Sequence, residues 1–151
     1  MHTINPSILN PIKPIPQYAF KQDPFRLIIS LQAAENPRLR QNFNLHESLE
    51  APSQRLFNAL QPGTKLEIHR HTTTSETCIV IRGSVRYTLY DDNKNILDSF
   101  VLKAGSDNFG YTVPVGQWHC YEPLKTDTVV LGCKDGPFIP LNACDVLGAL
   151  N

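Results

Sequence analysis

The sequence predicts an all-β barrel or sandwich that follows an extended arm and one short helix. Short apolar segments recur from about residue 54, turn-forming residues separate most of them, and no helical pattern lies between them. The 151 residues fit one domain that is large enough to bury a core. We therefore expect an N-terminal arm and helix over residues 1–50, the barrel over 51–138, and a C-terminal tail over 139–151.

The region before the barrel divides into an arm and a helix. Residues 1–17 are rich in Pro and Asn, which favours an extended arm. The segment "QDPFRLIISLQAAENP" predicts a helix, because Asp23 can cap its start, Pro24 suits the first turn and Pro37 ends it. The apolar side chains expected to pack on the rest of the molecule are Phe25, Leu27, Ile28 and Leu31.

Eight segments predict the strands of the barrel. They are "QRLFNAL", "TKLEIHR", "ETCIVIR", "SVRYTLYD", "NILDSFVLK", "NFGYTVP", "QWHCYEP" and "TDTVVLGCK". Alternation along "ETCIVIR" makes both of its faces largely apolar. One face would line the barrel interior, and the other needs a cover, either the helix or a second subunit. We expect a homodimer on this basis.

The charge and cysteine content limits the classes of partner. Fourteen basic residues balance fourteen acidic ones, so we expect neither nucleic acid nor a membrane as partner. No apolar run approaches the roughly 20 residues of a membrane span, and the N-terminus does not resemble a secretory signal. A cytoplasmic location is therefore expected. The cysteines, expected to be small buried hydrophobic residues in a reducing compartment, are Cys78, Cys120, Cys133 and Cys144.

The segment "GTKLEIHRHTTTSETCIVIRG" contains the strongest functional signal. His69 and His71 are two residues apart, so on a strand both side chains point to the same side. "TTTS" is a plausible turn, and Glu76 opens the next strand. An antiparallel neighbour that returns from this turn would place Glu76 beside the histidines.

A second segment supplies a third histidine. The Pro and Gly of "PVGQWH" predict a tight turn that delivers His119 onto another strand. Three imidazoles and one carboxylate suit one divalent transition metal, either Fe, Mn, Ni, Cu or Zn. A lone H-x-H pair is more often exposed, and a lone buried histidine is more often simply hydrogen-bonded. The combined pattern of both segments is what favours a metal.

Together the segments read G-x5-H-x-H-x4-E-x6-G followed by P-x-G-x-x-H, which resembles the paired motifs of the cupin superfamily. This resemblance implies a double-stranded β-helix, the RmlC-like jelly-roll barrel, with His69, His71, Glu76 and His119 as metal ligands. The leading glycine of the second motif is replaced by Asn108 and its trailing asparagine by Pro123, and neither departure removes a ligand.

Within the superfamily, residues 38–138 look like the WbuC-type cupins, which are named after a bacterial O-antigen polysaccharide gene cluster. Two segments that support this likeness are "RQNFNLHES" before the barrel and "KDGPF" after it. The resemblance implies a fold and a metal site. It does not imply a reaction, because no reaction is firmly established for these proteins.

Alternation from the ligands gives further candidates. Glu67 and Lys65 share the side of His69, where they lie near a mouth, pair together or turn into solvent. Gln117 and Tyr121 flank His119.

Upstream, Asn44, His46, Glu47 and Arg55 form a polar cluster, in which Arg55 could grip a carboxylate and His46 could transfer a proton. Capping and surface pairing are the alternative roles for this cluster. The catalytic candidates are thus His46 and Glu67, and the substrate-binding candidates are Asn44, Arg55, Lys65, Gln117 and Tyr121.

Three functions remain open at this point. The first is a metal-dependent isomerase, epimerase or lyase that acts on a sugar, sugar nucleotide or related acid in polysaccharide metabolism. The second is an Fe(II)-dependent dioxygenase that uses the same ligands. The third is a non-catalytic module whose metal organises a pocket for a small molecule.

Overall fold

The computed structural model describes residues 24–149, with side chains over residues 29–148. The predicted arm over 1–17 and the predicted cap Asp23 lie outside the described residues. The elements in chain order are α1 (Pro24–Glu35), β1 (Arg40–Asn44), β2 (Ser53–Leu60), β3 (Glu67–His69), β4 (Glu76–Arg82), β5 (Ser84–Tyr90), β6 (Ile96–Lys103), β7 (Gly110–Val113), β8 (Trp118–Pro123), β9 (Thr128–Asp135), a 3-10 helix (Ala143–Asp145) and β10 (Val146–Ala149).

The strands form two five-stranded antiparallel sheets. Sheet 1 has the order β1-β2-β9-β4-β7, and sheet 2 has the order β10-β3-β8-β5-β6. This arrangement confirms the predicted all-β jelly roll with one helix, and each of the eight predicted segments contains a strand. The sequence did not predict β1 and β10, which extend the sheets on both sides of residues 51–138. The division of the chain into arm, barrel and tail stays a prediction.

The main core lies between the two sheets. Leu60, Cys78 and Val80 from sheet 1 meet Tyr87 and Leu102 from sheet 2 in one buried cluster. Burial of such side chains is the principal stabilising contribution, about 1.5–3 kcal/mol for each large one.

The helix α1 covers the outer face of sheet 1. Ile29 and Ala33, one helical turn apart, pack against Phe43, Phe57 and Val129. The helix contacts lie mainly on β1, β2 and β9, so the cover expected for the outer face of β4 stays a prediction.

The helix begins and ends close to the predicted residues, but one of the side chains predicted to pack is exposed. Leu31 is 53% exposed, so its expected role in packing was wrong. The side chains of Phe25, Leu27 and Ile28 lie outside the described residues. Within the described chain, no helix combines the length and the apolar character that crossing a membrane requires.

Gly83 makes the sharp connection between β4 and β5. Its φ of 75° lies in the left-handed region that favours glycine. A Cβ atom at this position would collide with the Thr128 side chain and lie 3.0 Å from the Thr128 Cα. The motif glycine is thus required by both backbone conformation and space.

Candidate metal centre

The structure brings the four predicted ligands to one point. Their ligating atoms all lie within 4.8 Å of one another, and the ligands come from both sheets. His69 ends β3, His71 follows it, Glu76 begins β4 and His119 lies on β8. Residues that are 50 positions apart in the sequence therefore share one site.

His69 and His119 are fixed by their strands and by their own backbones. The two residues are cross-strand partners between β3 and β8. The Nδ1 of His69 lies 3.0 Å from the Glu67 carbonyl, and the Nδ1 of His119 lies 2.9 Å from the Gln117 carbonyl. A carbonyl can only accept, so each Nδ1 carries the proton. Each Nε2 is then left with a free lone pair, which is the usual state of a metal-binding histidine.

Glu76 approaches the histidines from the opposite sheet. From the sequence, the strand that begins with Glu76 was expected to be the antiparallel neighbour of the histidine strand. This was wrong, because β3 belongs to sheet 2 and β4 to sheet 1. The Glu76 Oε2 atom lies 2.9 Å from the Nε2 of His71 and 3.6 Å from the Nε2 of His119. The carboxylate therefore bridges the two sheets across the barrel.

His71 lies beyond the end of β3 and is held by the turn before His119. The Gly116 amide donates to the His71 carbonyl at 2.8 Å, with Gly116 at a φ of 81°. The left-handed glycine of the second motif thus anchors a ligand of the first motif.

The protonation states of the cluster suit a cation. Burial, and then the neighbouring His119 ring, lower the pKa of His69 to about 4, so its imidazole is neutral near pH 7. Burial raises the pKa of the Glu76 carboxyl group, but the facing His119 and His71 side chains outweigh it and hold this pKa well below its usual range. Neutral imidazoles and an ionised carboxylate are the forms that bind metals.

The buried Nε2 of His119 provides a second test of fit. His119 is fully buried, and its Nε2 has no hydrogen-bond partner among the described residues. A buried polar nitrogen without a partner is costly, by about 1–3 kcal/mol. A cation at the centre of the cluster would meet this lone pair, so the residues present fit a cupin metal site.

Two tyrosines form an aromatic stack with the His119 ring. Tyr87 on β5 is fully buried and stacks on the His119 ring, with centroids 6.0 Å apart and planes 9° apart. Tyr121 stacks on Tyr87 in turn at 5.3 Å. Tyr87 could not be identified from the sequence, because its apolar strand gives no sign of which residue would lie beside the ligands.

A cavity of about 340 Å³ lies next to the cluster, on the inner face of sheet 1. Of the predicted candidates, Asn44, His46 and Tyr121 line it, together with the ligand Glu76. Sequence reasoning missed Asn58 and Lys134, which also line it. Lys134 is the register partner of Glu76 on β9, so knowledge of the strand pairing would have found it.

The other predicted candidates do not line this cavity. Arg55 is exposed and alternates with the cavity residue Gln54, so its side chain lies on the opposite face of β2. Lys65 and Glu67 are exposed, and Glu67 contributes its carbonyl to His69. Gln117 donates its side-chain amide to the carbonyls of Tyr90 and Trp118. The polar cluster predicted upstream therefore divides between two faces of sheet 1.

A second cavity, of about 350 Å³, is lined by His71, which does not line the first. Its polar lining includes Arg70, Thr74 and Asp145. Arg70 is held there by a 2.9 Å ion pair with Asp145. Lys134 lines this cavity as well, and thus separates the two spaces beside the cluster.

Solved structures with a similar fold include several cupins. KdgF from Halomonas sp. matches with a TM-score of 0.54 and 16% identity, over 69% of this chain and 84% of that chain. The capsular polysaccharide assembling protein CapF from Staphylococcus aureus matches with a TM-score of 0.55 and 23% identity, over 71% of this chain and 28% of that chain. Oxalate decarboxylase from Bacillus subtilis, which has Mn(II) centres, matches with a TM-score of 0.54 and 21% identity, over 72% of this chain and 28% of that chain.

These likenesses show that the fold is the cupin fold. This chain spans most of KdgF but less than a third of CapF and of oxalate decarboxylase. The narrower likeness to WbuC-type cupins stays a prediction.

The chain also matches one family model, over residues 25–102, which is just over half of its length. No curated protein matches the chain. The protein therefore belongs to the family described as "Domain of unknown function (DUF6016)".

Proposed function

We propose that the cluster binds one divalent transition metal and that the protein is a metal-dependent enzyme acting on a sugar-like small molecule. The observation that carries this proposal is the convergence of three imidazoles and one carboxylate within 4.8 Å. The buried, unpartnered Nε2 of His119 supports it, since a metal is the simplest partner for that atom.

The ligand atoms, three nitrogens and one oxygen, limit the metal to a divalent transition metal. Three nitrogen ligands and one oxygen ligand suit Fe, Mn, Ni, Cu or Zn, and an octahedral ion would keep two positions for water or substrate. Such an ion would polarise a carbonyl or hydroxyl oxygen of the substrate as a Lewis acid. Metal analysis of protein purified without added ions decides which metal is present.

The residues around the cavity favour proton-transfer chemistry, as in an isomerase, epimerase or lyase. Of the two catalytic candidates, His46 is the better placed, because it lines the cavity that reaches Glu76. Glu67 is exposed and is not among the residues that line this cavity. A histidine can both accept and return a proton near neutral pH.

The choice of first substrates comes from two sources. The WbuC-type resemblance and the fold likeness to CapF, a capsular polysaccharide assembling protein, make sugar nucleotides and sugar acids the compounds to test first. We propose polysaccharide metabolism as the setting on the same basis.

Turnover of these compounds by the metal-loaded protein tests the proposal. We expect His69→Ala to abolish turnover together with metal binding, and His46→Gln to abolish turnover while metal binding remains. Glu67→Gln is the matched control and should leave both unchanged. Oxygen consumption after anaerobic iron loading would instead indicate a dioxygenase, and tight binding of a compound recovered unchanged would indicate a binding module.

We also propose a homodimer in the cytoplasm. The helix contacts β1, β2 and β9, whereas Ile81 on β4 is 37% exposed and Phe109 beside β7 is 50% exposed. These side chains form an apolar surface that a second copy could cover. The four free thiols suit a reducing compartment. A monomeric mass by light scattering at micromolar concentration would overturn the dimer.

A further inference from the structure

We infer that the cavity beside the metal cluster binds a hydroxy acid, that is, a small molecule that carries a carboxylate next to hydroxyl groups. This inference rests on the proposed function and names its substrate class. Three side chains that line one cavity carry it: His46, Asn58 and Lys134. Each offers a polar or charged group that no described residue satisfies.

His46 presents a polar ring nitrogen. The amide of Arg55 donates to the His46 Nδ1 at 3.1 Å in one tautomer. In the other tautomer the same nitrogen donates to the Arg55 carbonyl, which lies 2.9 Å away. Arg55 therefore occupies Nδ1 in either case, and Nε2 is the ring nitrogen left for a ligand. His46 is 7% exposed, and this Nε2 has no partner among the described residues.

Asn58 presents a hydrogen-bond acceptor. Its Nδ2 donates to the Tyr121 hydroxyl at 3.2 Å, so the side chain is held in one orientation. Its Oδ1 has no partner among the described residues, although Asn58 is only 8% exposed. A buried carbonyl oxygen of this kind requires a donor, and a ligand hydroxyl supplies one.

Lys134 supplies the positive charge. It lies opposite Glu76 in the register of β9 and β4 and shares its face. Within the part of the chain that the structure describes, no carboxylate lies within ion-pair distance of its ammonium group. Its Nζ lies 5.8 Å from the centre of the exposed Phe138 ring. A half-buried cation beside a polar cavity recognises an anion.

The three groups together select a ligand class. A carboxylate satisfies Lys134, a hydroxyl satisfies Asn58, and either group can pair with the His46 Nε2. A neutral polyol leaves the lysine unpaired, and a plain fatty acid leaves the Asn58 oxygen unpaired. A molecule with both groups is therefore preferred over either.

Three matched six-carbon probes test this selection: D-gluconate, which has both groups, D-glucitol, which lacks the carboxylate, and hexanoate, which lacks the hydroxyls. Binding is measured by calorimetry on the full chain, first metal-free in EDTA and then loaded with Mn²⁺. We expect D-gluconate to bind at least about 10-fold more tightly than either of the others, as one charge-assisted hydrogen bond provides.

Two substitutions assign the preference to its residues. Lys134→Met should lower D-gluconate affinity about 10-fold and leave D-glucitol unchanged, and Lys134→Arg should restore most of the loss. Asn58→Leu should reduce the advantage of D-gluconate over hexanoate. Lys103→Met, at an exposed lysine on β6, is the matched control and should change nothing. Thermal unfolding checks that each variant is folded, and if the Leu variant is not, the lysine series decides.

The outcomes separate this inference from the proposed function. If D-gluconate binds no better than D-glucitol or hexanoate, or if none binds, the inference is overturned even where Mn²⁺ binds normally. The same holds if Lys134→Met keeps the preference. If Mn²⁺ fails to bind while the metal-free protein still prefers D-gluconate, the proposed metal enzyme is overturned and the hydroxy-acid site stands.

Discussion

His69 and His119 are direct cross-strand partners, and their ring centroids lie 4.4 Å apart. This is the one register pair that joins β3 to β8, because β3 is only three residues long. On its other edge β3 pairs with β10. The position of the cluster therefore depends on a short strand held between two neighbours, one of which comes from the end of the described chain.

Replacement of His119 should remove metal binding. His119→Gln keeps a polar side chain of similar size but removes the buried imidazole from the cluster. We expect the affinity for Mn²⁺ to fall by at least about 100-fold, because loss of even an outer supporting residue of a metal site costs 10–100-fold. Calorimetry with Mn²⁺ measures this. His46→Gln is the control, and equal affinity in the two variants would contradict the assigned ligand set.

The lowered pKa of His69 predicts how stability depends on pH. Its value is about 4 in the folded chain and 6.5 in the unfolded chain, so between these values the unfolded state binds more protons. The His69 contribution to the free energy of unfolding is present above about pH 6.5 and is lost as pH falls toward 4.

Denaturant unfolding of metal-free protein checks this at pH 7 and pH 5, beside His69→Asn. The wild-type protein should lose more stability between the two pH values than the variant does. NMR titration of the His69 ring provides a direct reading, and a midpoint near 6.5 would refute the prediction.

The ligands could be predicted from the sequence because local features set their positions. Gly83 and Gly116 have positive φ values and lie in turns. The number of residues between each turn and its ligand can therefore be counted in the sequence without knowledge of the fold. Sequence reasoning could not decide which sheet Glu76 joins. A four-residue linker after His71 fits a hairpin as well as a crossing between sheets, and only packing of the whole barrel separates the two.

The missed strand β1 shows a second limit. In "RQNFN" only Phe43 is buried, because Arg40, Asn42 and Asn44 alternate with it on the side of the cavity. A strand with a polar inner face does not give the apolar alternation that indicates a strand. The polar character that concealed β1 is the same property that makes it part of the candidate site. Asn58 and Lys134 were missed for a different reason. Each is a single polar residue in a largely apolar strand, so the pattern of the strand did not mark it as a site residue.

Gly83→Ala should destabilise the protein more than Gly105→Ala. Both glycines have similar positive φ values, 75° and 72°, so both substitutions introduce backbone strain of about 1 kcal/mol. A Cβ at Gly105 meets nothing within 4 Å, whereas one at Gly83 collides with Thr128. Overpacking adds about 1–3 kcal/mol at Gly83 only. Urea unfolding of both variants measures the difference, and equal losses would show that Thr128 does not restrict the turn.

Ile29→Ala and Leu31→Ala test which side chain of the helix packs on sheet 1. Ile29 is fully buried against sheet 1, whereas Leu31, two residues later, is more than half exposed. Removal of the Ile29 side chain leaves a cavity between α1 and the sheet and should lower the free energy of unfolding by about 2–5 kcal/mol. The Leu31 variant should change it by no more than about 0.5 kcal/mol, because an exposed side chain loses little packing. Urea unfolding compares the two. A larger loss for Leu31 would mean that the helix packs on the sheet through the face that the sequence pattern predicted, and that its position over β1, β2 and β9 is different in solution.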